Sequence, residues 1–234
     1  MNPVRNRQTL IFSLGGSLIV PDRIDIKFLK RFRKFILGLL KSGHRVVIIT
    51  GGGKTSRRYN SAAQKIIRVK DADLDWLGIA ATKLNAELLR VIFAKHAYLR
   101  VIDNPLTYQF TRLPAYKLII ASGWKPGSSS DRVAVLWAKN LKARMVLNLT
   151  DVDFVYDKDP DKFPQSKPIK QISWSDFRKI VGHKWSPRAS WPFDPIASRL
   201  AQKFKLKVII ANGRKLKNLE NYLGGKKFKG TVIE

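Results

Sequence analysis

The chain has 234 residues, 44% of them hydrophobic, and carries 45 Lys+Arg against 17 Asp+Glu for a formal charge of +28, with no cysteine. Enough apolar residue is present to build a core, which excludes a disordered chain, and the missing cysteines exclude disulfides, thiolate catalysis and cysteine-held metals. The apolar runs are too short to span a bilayer and the segment MNPVRNRQTL lacks the apolar stretch of a secretion signal, so a cytoplasmic protein with no membrane association is expected.

TLIFSL (9–14) reads as a strand stopped by Gly15 and Gly16. Asp25 is an N-cap candidate for a helix in which Ile26, Phe28, Leu29, Phe32, Phe35, Ile36, Leu39 and Leu40 share one face, with Gly43 as its stop. That face suits core packing and also a dimer surface. RVVIIT (45–50) reads as a buried strand and SRRYNSAAQKII as a helix. A long helix is expected from Asp75 to Lys95, followed by strands at AYLRVI and KLIIAS, a helix at DRVAVLWAKNLKA and a strand at RMVLNLT. DVDFVYDKDPDKFPQSKPI reads as irregular; helices near 174–181 and 194–205, the strand KVIIANG, a last helix and a terminal GTVIE complete the pattern. Strands alternating with helices predict an α/β fold with a mainly parallel sheet covered on both faces. The softest boundary lies near 142 within what reads as a single domain, 1–234.

The basic residues run from Arg5 to Lys229 without a dense tail or an aromatic-interleaved patch, which favours a generally cationic surface over a nucleic-acid partner. The acids are sparser and more telling. Only Glu87, Glu220 and Glu234 are glutamates, while aspartates crowd into DADLD (71–75) and DVDFVYDKDPD (151–161). Loops that keep negative charge in so cationic a chain are candidates for specific roles, although turns and helix starts also select Asp.

GGGKT (51–55) resembles a phosphate-binding P-loop, but that motif needs a glycine five residues ahead of its Gly-Lys-Thr, and Ile48 stands there. A different arrangement fits better. The loops GGS (15–17), GGGK (51–54), GWKPGSSSD (123–131) and TDVDFVYDKD (150–159) each follow a strand. In a parallel sheet such loops converge at the carboxyl ends, where glycines admit a phosphate close to the backbone and helix N-termini supply N–H donors. Lys54, Arg57, Arg58, Lys125 and Ser128 to Ser130 add charge and donors there. His44, His96 and His183 show no metal-ligand spacing and read as structural or exposed.

The ordered motifs LGGSLIVP, VIITGGGKTSRRY, LDWLGIAATKLNAELL, PGSSSDRVAVLWA, LNLTDVDFVYDKDP, FDPIASRLA and IIANG resemble the amino acid kinase superfamily, and within it the archaeal-type UMP kinases. The resemblance implies a three-layer α/β/α sandwich in which Mg-ATP phosphorylates UMP. It assigns residues 1–142 to an acceptor-binding lobe and 143–234 to an ATP-binding lobe, and implies a homo-oligomer, a dimer or hexamer. Gly16 and Ser17 would face the transferring phosphates, Gly53 and Arg57 the ATP side, and Gly52 the UMP phosphate. Asp75 would grip the nucleoside monophosphate, and Trp124, Lys125, Pro126, Gly127, Ser128, Ser129 and Ser130 would cover it. Thr150, Tyr156 and Asp159 match the adenosine-binding positions. A phosphate oxygen is already a competent nucleophile, so the transfer needs positioning and charge neutralisation rather than a general base. Lys54 is the candidate for spanning both phosphates, with Arg57 beside it. Asp131 and Asp194 are candidates for orienting donors or holding metal-bound water, with no direct protein ligand to the metal.

Departures from the family pattern are Ser13 where many members carry lysine, Phe154 in place of a glycine, Ala121 and Ser122 in place of a glycine-rich entry, and Lys125 with Ser128 to Ser130 where histidines and threonines are usual. They leave open a kinase of another small acceptor, or a non-catalytic nucleotide-binding or storage protein. Asp75 also has a reading as a helix N-cap, Trp185 and Trp191 as interface or core, and SPRAS (186–190) as a loop near the site.

Overall fold

The computed structural model describes residues 7–107, 116–160, 162–182 and 191–234. Asp161, His183, Trp185 and the SPRAS segment lie outside them.

The elements in order are β1 (Thr9–Leu14), α1 (Gly16–Ile19), α2 (Ile26–Lys41), β2 (Arg45–Thr50), α3 (Gly53–Ile66), α4 (Asp71–Ile92), β3 (Leu118–Ala121), α5 (Ser130–Asn140), β4 (Met145–Thr150), β5 (Val155–Tyr156), β6 (Pro168–Ile169), β7 (Gln171–Ile172), α6 (Trp174–Val181), α7 (Pro195–Lys203), β8 (Lys207–Asn212), α8 (Leu216–Leu223) and β9 (Thr231–Ile233). One seven-stranded sheet runs β3-β2-β1-β4-β8-β9-β7, continuous across position 142, and β5 pairs with β6 in a small antiparallel ribbon. The five strands from β3 to β8 are mutually parallel, while β9 runs antiparallel to β8.

Each central strand is buried on both faces, which is why it reads as an unbroken apolar run rather than an alternation. Along β1 the period of two still sorts the side chains. Leu10, Phe12 and Leu14 join Phe28, Leu29, Phe32, Phe35 and Ile36 of α2 in one core, and Ile11 joins Val133, Trp137 and Phe177 in the other. Phe12 meets Phe32 and Phe35 edge to face, with ring centroids 6.5 and 6.1 Å apart, a favoured aromatic arrangement. Asp25 caps α2 as its sequence predicts, accepting from the Phe28 amide at 2.8 Å.

Two expectations change. AYLRVI is not a strand: only Ala97 and Ile102 bridge, to Leu118 and Ala121, so five steps on one side face three on the other and the exposed Leu99 and Arg100 bulge outward. The long helix begins at Asp71 with Lys70 as its cap, which places Asp75 inside α4 and removes its N-cap reading. On α2, Phe28, Leu29, Phe32, Phe35 and Ile36 are buried in the core while Ile26 is exposed, and further exposed apolar side chains, Tyr59, Ile66, Ile67, Trp76, Leu84 and Val91, lie on α3, just after it and on α4.

Candidate functional site

The chain passes from β1 to β2 to β3 on one side of β1, then returns to lay β4 on the other side. A parallel sheet opens a crevice at such a reversal, beyond the carboxyl ends of the strands. All four sequence-identified loops open at this edge.

The first two loops are packed backbone against backbone. A Cβ on Gly16 would fall 2.7 Å from the Gly52 carbonyl carbon and closer still to the Gly53 amide, and Gly53 has φ +64. Only glycine meets both demands without strain. The Gly15 amide donates to Leu149 O at 2.8 Å and the Gly51 amide to Leu14 O at 2.9 Å, fixing each loop to the strand beside it. No acceptor within the described residues faces the amides of Gly16, Ser17, Gly52 and Gly53, the kind of donors that helix N-termini offer to anions.

Helix α4 ties the second and third loops together. The buried Asn85 side-chain amide donates to Gly51 O at 2.8 Å, the Thr82 hydroxyl accepts from the Gly123 amide at 2.8 Å, and the buried Thr50 hydroxyl donates to Thr82 O at 2.9 Å. Two turns earlier, Asp75 Oδ2 accepts from the Gly127 amide at 2.7 Å. The segment D-x-x-G-I-x-x-T-x-x-N is therefore a clamp on both loops, and Asp75 sits half-buried against the third.

That third loop begins with Trp124, over whose ring Lys125 Nζ lies at 4.3 Å, passes Pro126 and Gly127, and ends at Ser129, which caps α5 by accepting from the Arg132 amide at 3.1 Å. Ser130 is the first residue of that helix. The Ser128 hydroxyl and Arg132 Nε are buried without a hydrogen-bond partner, while Arg132 NH1 donates to Gly127 O at 2.8 Å. Sequence reasoning passed over Arg132. Its position directly after Ser-Ser-Ser-Asp, in the first turn of a helix, was the available signal.

Between the halves lies a carboxylate pair. Asp131 accepts from the buried Ser13 hydroxyl at 3.0 Å and from the Asp194 amide at 3.1 Å. Asp194 caps α7, accepting from the Ala197 amide at 2.6 Å. Burial, and then the charge of Asp194, push the Asp131 carboxyl up to about 7; burial likewise raises Asp194. Ser13 thus holds the Asp131 carboxylate from the strand that ends at the first glycine loop.

Lys54 and Arg57 emerge from the first turns of α3. Lys54 Nζ pairs with Asp22 at 3.1 Å, sharing that carboxylate with Arg58 at 2.7 Å, and Arg57 is exposed. The lysine is held over the α1–α2 connection rather than across the β1–β4 crevice.

On the far side, a cavity of about 760 Å³ is lined by Thr150, Phe154, Tyr156, Asp159, Lys179 and Trp191, among others. Thr150, Tyr156 and Asp159 line it together. The sequence treated Phe154 only as a departure and did not reach Lys179 on α6, whose approach depends on tertiary packing. Gly16, Ser17, Gly53 and Arg57 lie outside this lining. Among the described residues no group of three His, Asp or Glu side chains could hold a metal ion, and no helix is long and apolar enough to cross a membrane.

Residues 8–212 match the model of the amino acid kinase family. The chain is 34% identical over 214 residues to a uridylate kinase of Sulfolobus acidocaldarius, covering 91% of this chain and 93% of that protein. It is 31% identical over 226 residues to a uridylate kinase of Pyrococcus abyssi, covering 96% and 99%. The crystal structure of uridylate kinase from Archaeoglobus fulgidus superposes with a TM-score of 0.80 at 27% identity, over 97% of this chain and all of that one. A UMP kinase structure from Bacillus anthracis shares the fold, with a TM-score of 0.78 at 19% identity over 97% and 96% of the two chains.

Proposed function

The chain belongs to the amino acid kinase family, and we propose that it is the member that transfers the γ-phosphate of ATP to UMP, giving UDP. The observation that carries this reading is the convergence of four loops on the β1–β4 reversal, with Asp75 and the buried, unpartnered Ser128 hydroxyl and Arg132 Nε on one side and the 760 Å³ cavity on the other. The β2 and β3 loops form the acceptor half, in residues 1–142; the cavity beyond β4 forms the ATP half, in residues 143–234. The uridylate kinases at 31 to 34% identity support UMP as the acceptor.

In this reading Tyr156, Phe154 and Trp191 enclose the adenine, while Thr150 and Asp159 hold the ribose. Gly16, Ser17 and Gly53 present amides to the ATP phosphates, and Gly52 presents its amide to UMP. Asp75 keeps the loop 124–130 over the acceptor by holding the Gly127 amide. Arg132 Nε and the Ser128 hydroxyl supply donors that burial leaves without protein partners, so a bound anion or carbonyl satisfies them. The UMP phosphate oxygen attacks without a base, and catalysis is alignment plus neutralisation of charge by these donors. Lys54 contributes once it leaves Asp22, an exposed pairing of the kind that exchanges readily.

Both oxygens of Asp131 and one of Asp194 are engaged by protein donors. This set would suit a Mg²⁺ brought in with the nucleotide, Asp131 and Asp194 being the carboxylates that would hold it through its waters, since the ion keeps most of its hydration shell. Bound there, the ion would neutralise charge on the phosphates. Asp131 and Asp194 hold each other and the end of α7 in register for it.

The exposed Trp76, Leu84 and Val91 fall on one stripe of α4, beside Ile66 and Ile67 at the end of α3. An apolar face of this kind on a soluble enzyme marks an interface, and a homo-oligomer covers it.

An ADP-release assay with Mg-ATP against UMP, CMP, AMP and small carboxylates tests the assignment. Turnover with UMP well above the others is expected. Preference for a different acceptor replaces UMP in the scheme, and ATP binding without turnover of any acceptor points to a storage or regulatory protein.

A further inference from the structure

The two halves of the site present different chemistry. In the acceptor loop the Ser128 hydroxyl and Arg132 Nε are buried donors without a protein partner, and groups of that kind reject a ligand that leaves them unsatisfied. The cavity beyond β4 is walled by rings. Phe154 and Tyr156 lie two positions apart in extended chain and so share a face, while Val155 between them turns into the core and is 1% exposed. Both rings line the cavity, and Trp191 lines it from the segment that leads into α7.

These rings contribute little to the fold. Val155 belongs to the buried cluster of Trp174 and Phe177, but among the described residues Phe154, Tyr156 and Trp191 join neither core cluster. Phe154 and Tyr156 are half-buried and Trp191 is 38% exposed. Three aromatic side chains are thus presented at a cavity wall.

The polar side chains of the same lining are engaged close to home. Asp157 Oδ1 accepts from the Lys167 amide at 2.8 Å and the Thr150 hydroxyl from the Val152 amide at 3.0 Å. Lys179 pairs with Asp176 at 2.7 Å, and Asp159 with Lys162 at 3.8 Å. Among the described residues, no side chain of this lining is a buried polar group left without a partner. Rings recognise a base by its face, and stacking tolerates any base because every base has a π-face. A two-ring base offers more of that face than a one-ring base.

We propose that this cavity takes the donor nucleotide by stacking, with Phe154 as a specificity-determining residue, so that purine nucleoside triphosphates serve as a class, GTP as well as ATP. The inference rests on the kinase reading above, with the cavity as its donor half. Phe154 stands where the family resemblance leads to an expectation of glycine, and its ring supplies a stacking face that glycine lacks. Selectivity stays with the acceptor loop and its buried donors.

The test uses the full chain. UDP formation from UMP is read by chromatography with Mg-ATP, Mg-GTP and Mg-CTP, and binding of the same three triphosphates is read by calorimetry. The wild type should bind and use GTP within about tenfold of ATP, and CTP more weakly than either. Phe154→Gly leaves both core clusters intact. It should raise Kd and KM for ATP and GTP together by roughly tenfold, the loss of one stacking face, with kcat and the KM for UMP unchanged, as expected when uniform binding is lost. Phe154→Tyr should keep the wild-type values. The proposal is overturned if GTP binds more than about tenfold more weakly than ATP, which marks a read base edge. It is equally overturned if Phe154→Gly weakens ATP alone or leaves both triphosphates unaffected. If no triphosphate yields UDP, the kinase reading fails while calorimetry still decides the stacking proposal; if none binds, both fail.

Discussion

Asp131 and Ser13 stand 118 positions apart in the chain, yet the Ser13 hydroxyl donates to Asp131 Oδ1 at 3.0 Å beneath the β1–β4 crevice. The serine that stands where the family resemblance leads to an expectation of lysine is the hydrogen-bond partner of a buried carboxylate.

That carboxylate weakens the fold when ionised. Its folded value is raised to about 7, against about 3.9 for an unfolded aspartate, so the folded state holds the proton more tightly and stability falls as pH rises between those values. Asp131→Asn can still accept from the Asp194 amide and donate to Ser13. It should melt a few degrees above the wild type at pH 8, with the difference closing below about pH 4, while ADP release drops at least tenfold. Equal melting curves at pH 8 would remove the electrostatic account.

Asp75 and Gly127 offer a cleaner separation of binding from chemistry. Asp75→Ala releases the Gly127 amide, and the KM for the acceptor should rise about tenfold or more, the loss of one charge-assisted hydrogen bond, with the KM for ATP within about twofold. Equal changes in both constants would show that Asp75 shapes the whole edge rather than the acceptor half.

Gly16→Ala places a methyl group against the Gly52–Gly53 backbone. Neither side is a flexible side chain that can swing away, so the loops must separate. A destabilisation of about 1–3 kcal/mol and near-complete loss of turnover are expected from chemical denaturation and the ADP assay. Gly38→Ala, with nothing within 4 Å of the added carbon, should be neutral or slightly stabilising in the same helix-rich scaffold.

Leu84→Arg adds a charge to the apolar stripe of α4. Sedimentation should show a shift toward monomer with the circular dichroism spectrum unchanged. An unaltered sedimentation coefficient would place the interface elsewhere.

The candidate site was partly legible in sequence because glycine loops after strands and the T-x-x-N spacing on α4 are local patterns. Thr150, Tyr156 and Asp159 meet in one cavity because they share one loop segment. Lys54 read as a phosphate-spanning lysine on local grounds, but Asp22, 32 positions earlier in the chain, claims it in this structure. Arg132 escaped notice because a buried, unpartnered Nε is a property of packing, not of spacing.

What the sequence by itself determined was the alternation of apolar strands and amphipathic helices, hence a covered parallel sheet whose loops open at the carboxyl edge. Those features are local, set by period, capping and glycine. AYLRVI shows the limit: its apolar residues suit a strand, but pairing depends on the register of β3, and two extra residues break it. Tertiary structure alone decided which distant groups meet, joining Ser13 to Asp131 and Asp131 to Asp194. Parallel strands bring their beginnings to one edge and their ends to the other, so residues far apart in the chain become neighbours across strands about 4.8 Å apart.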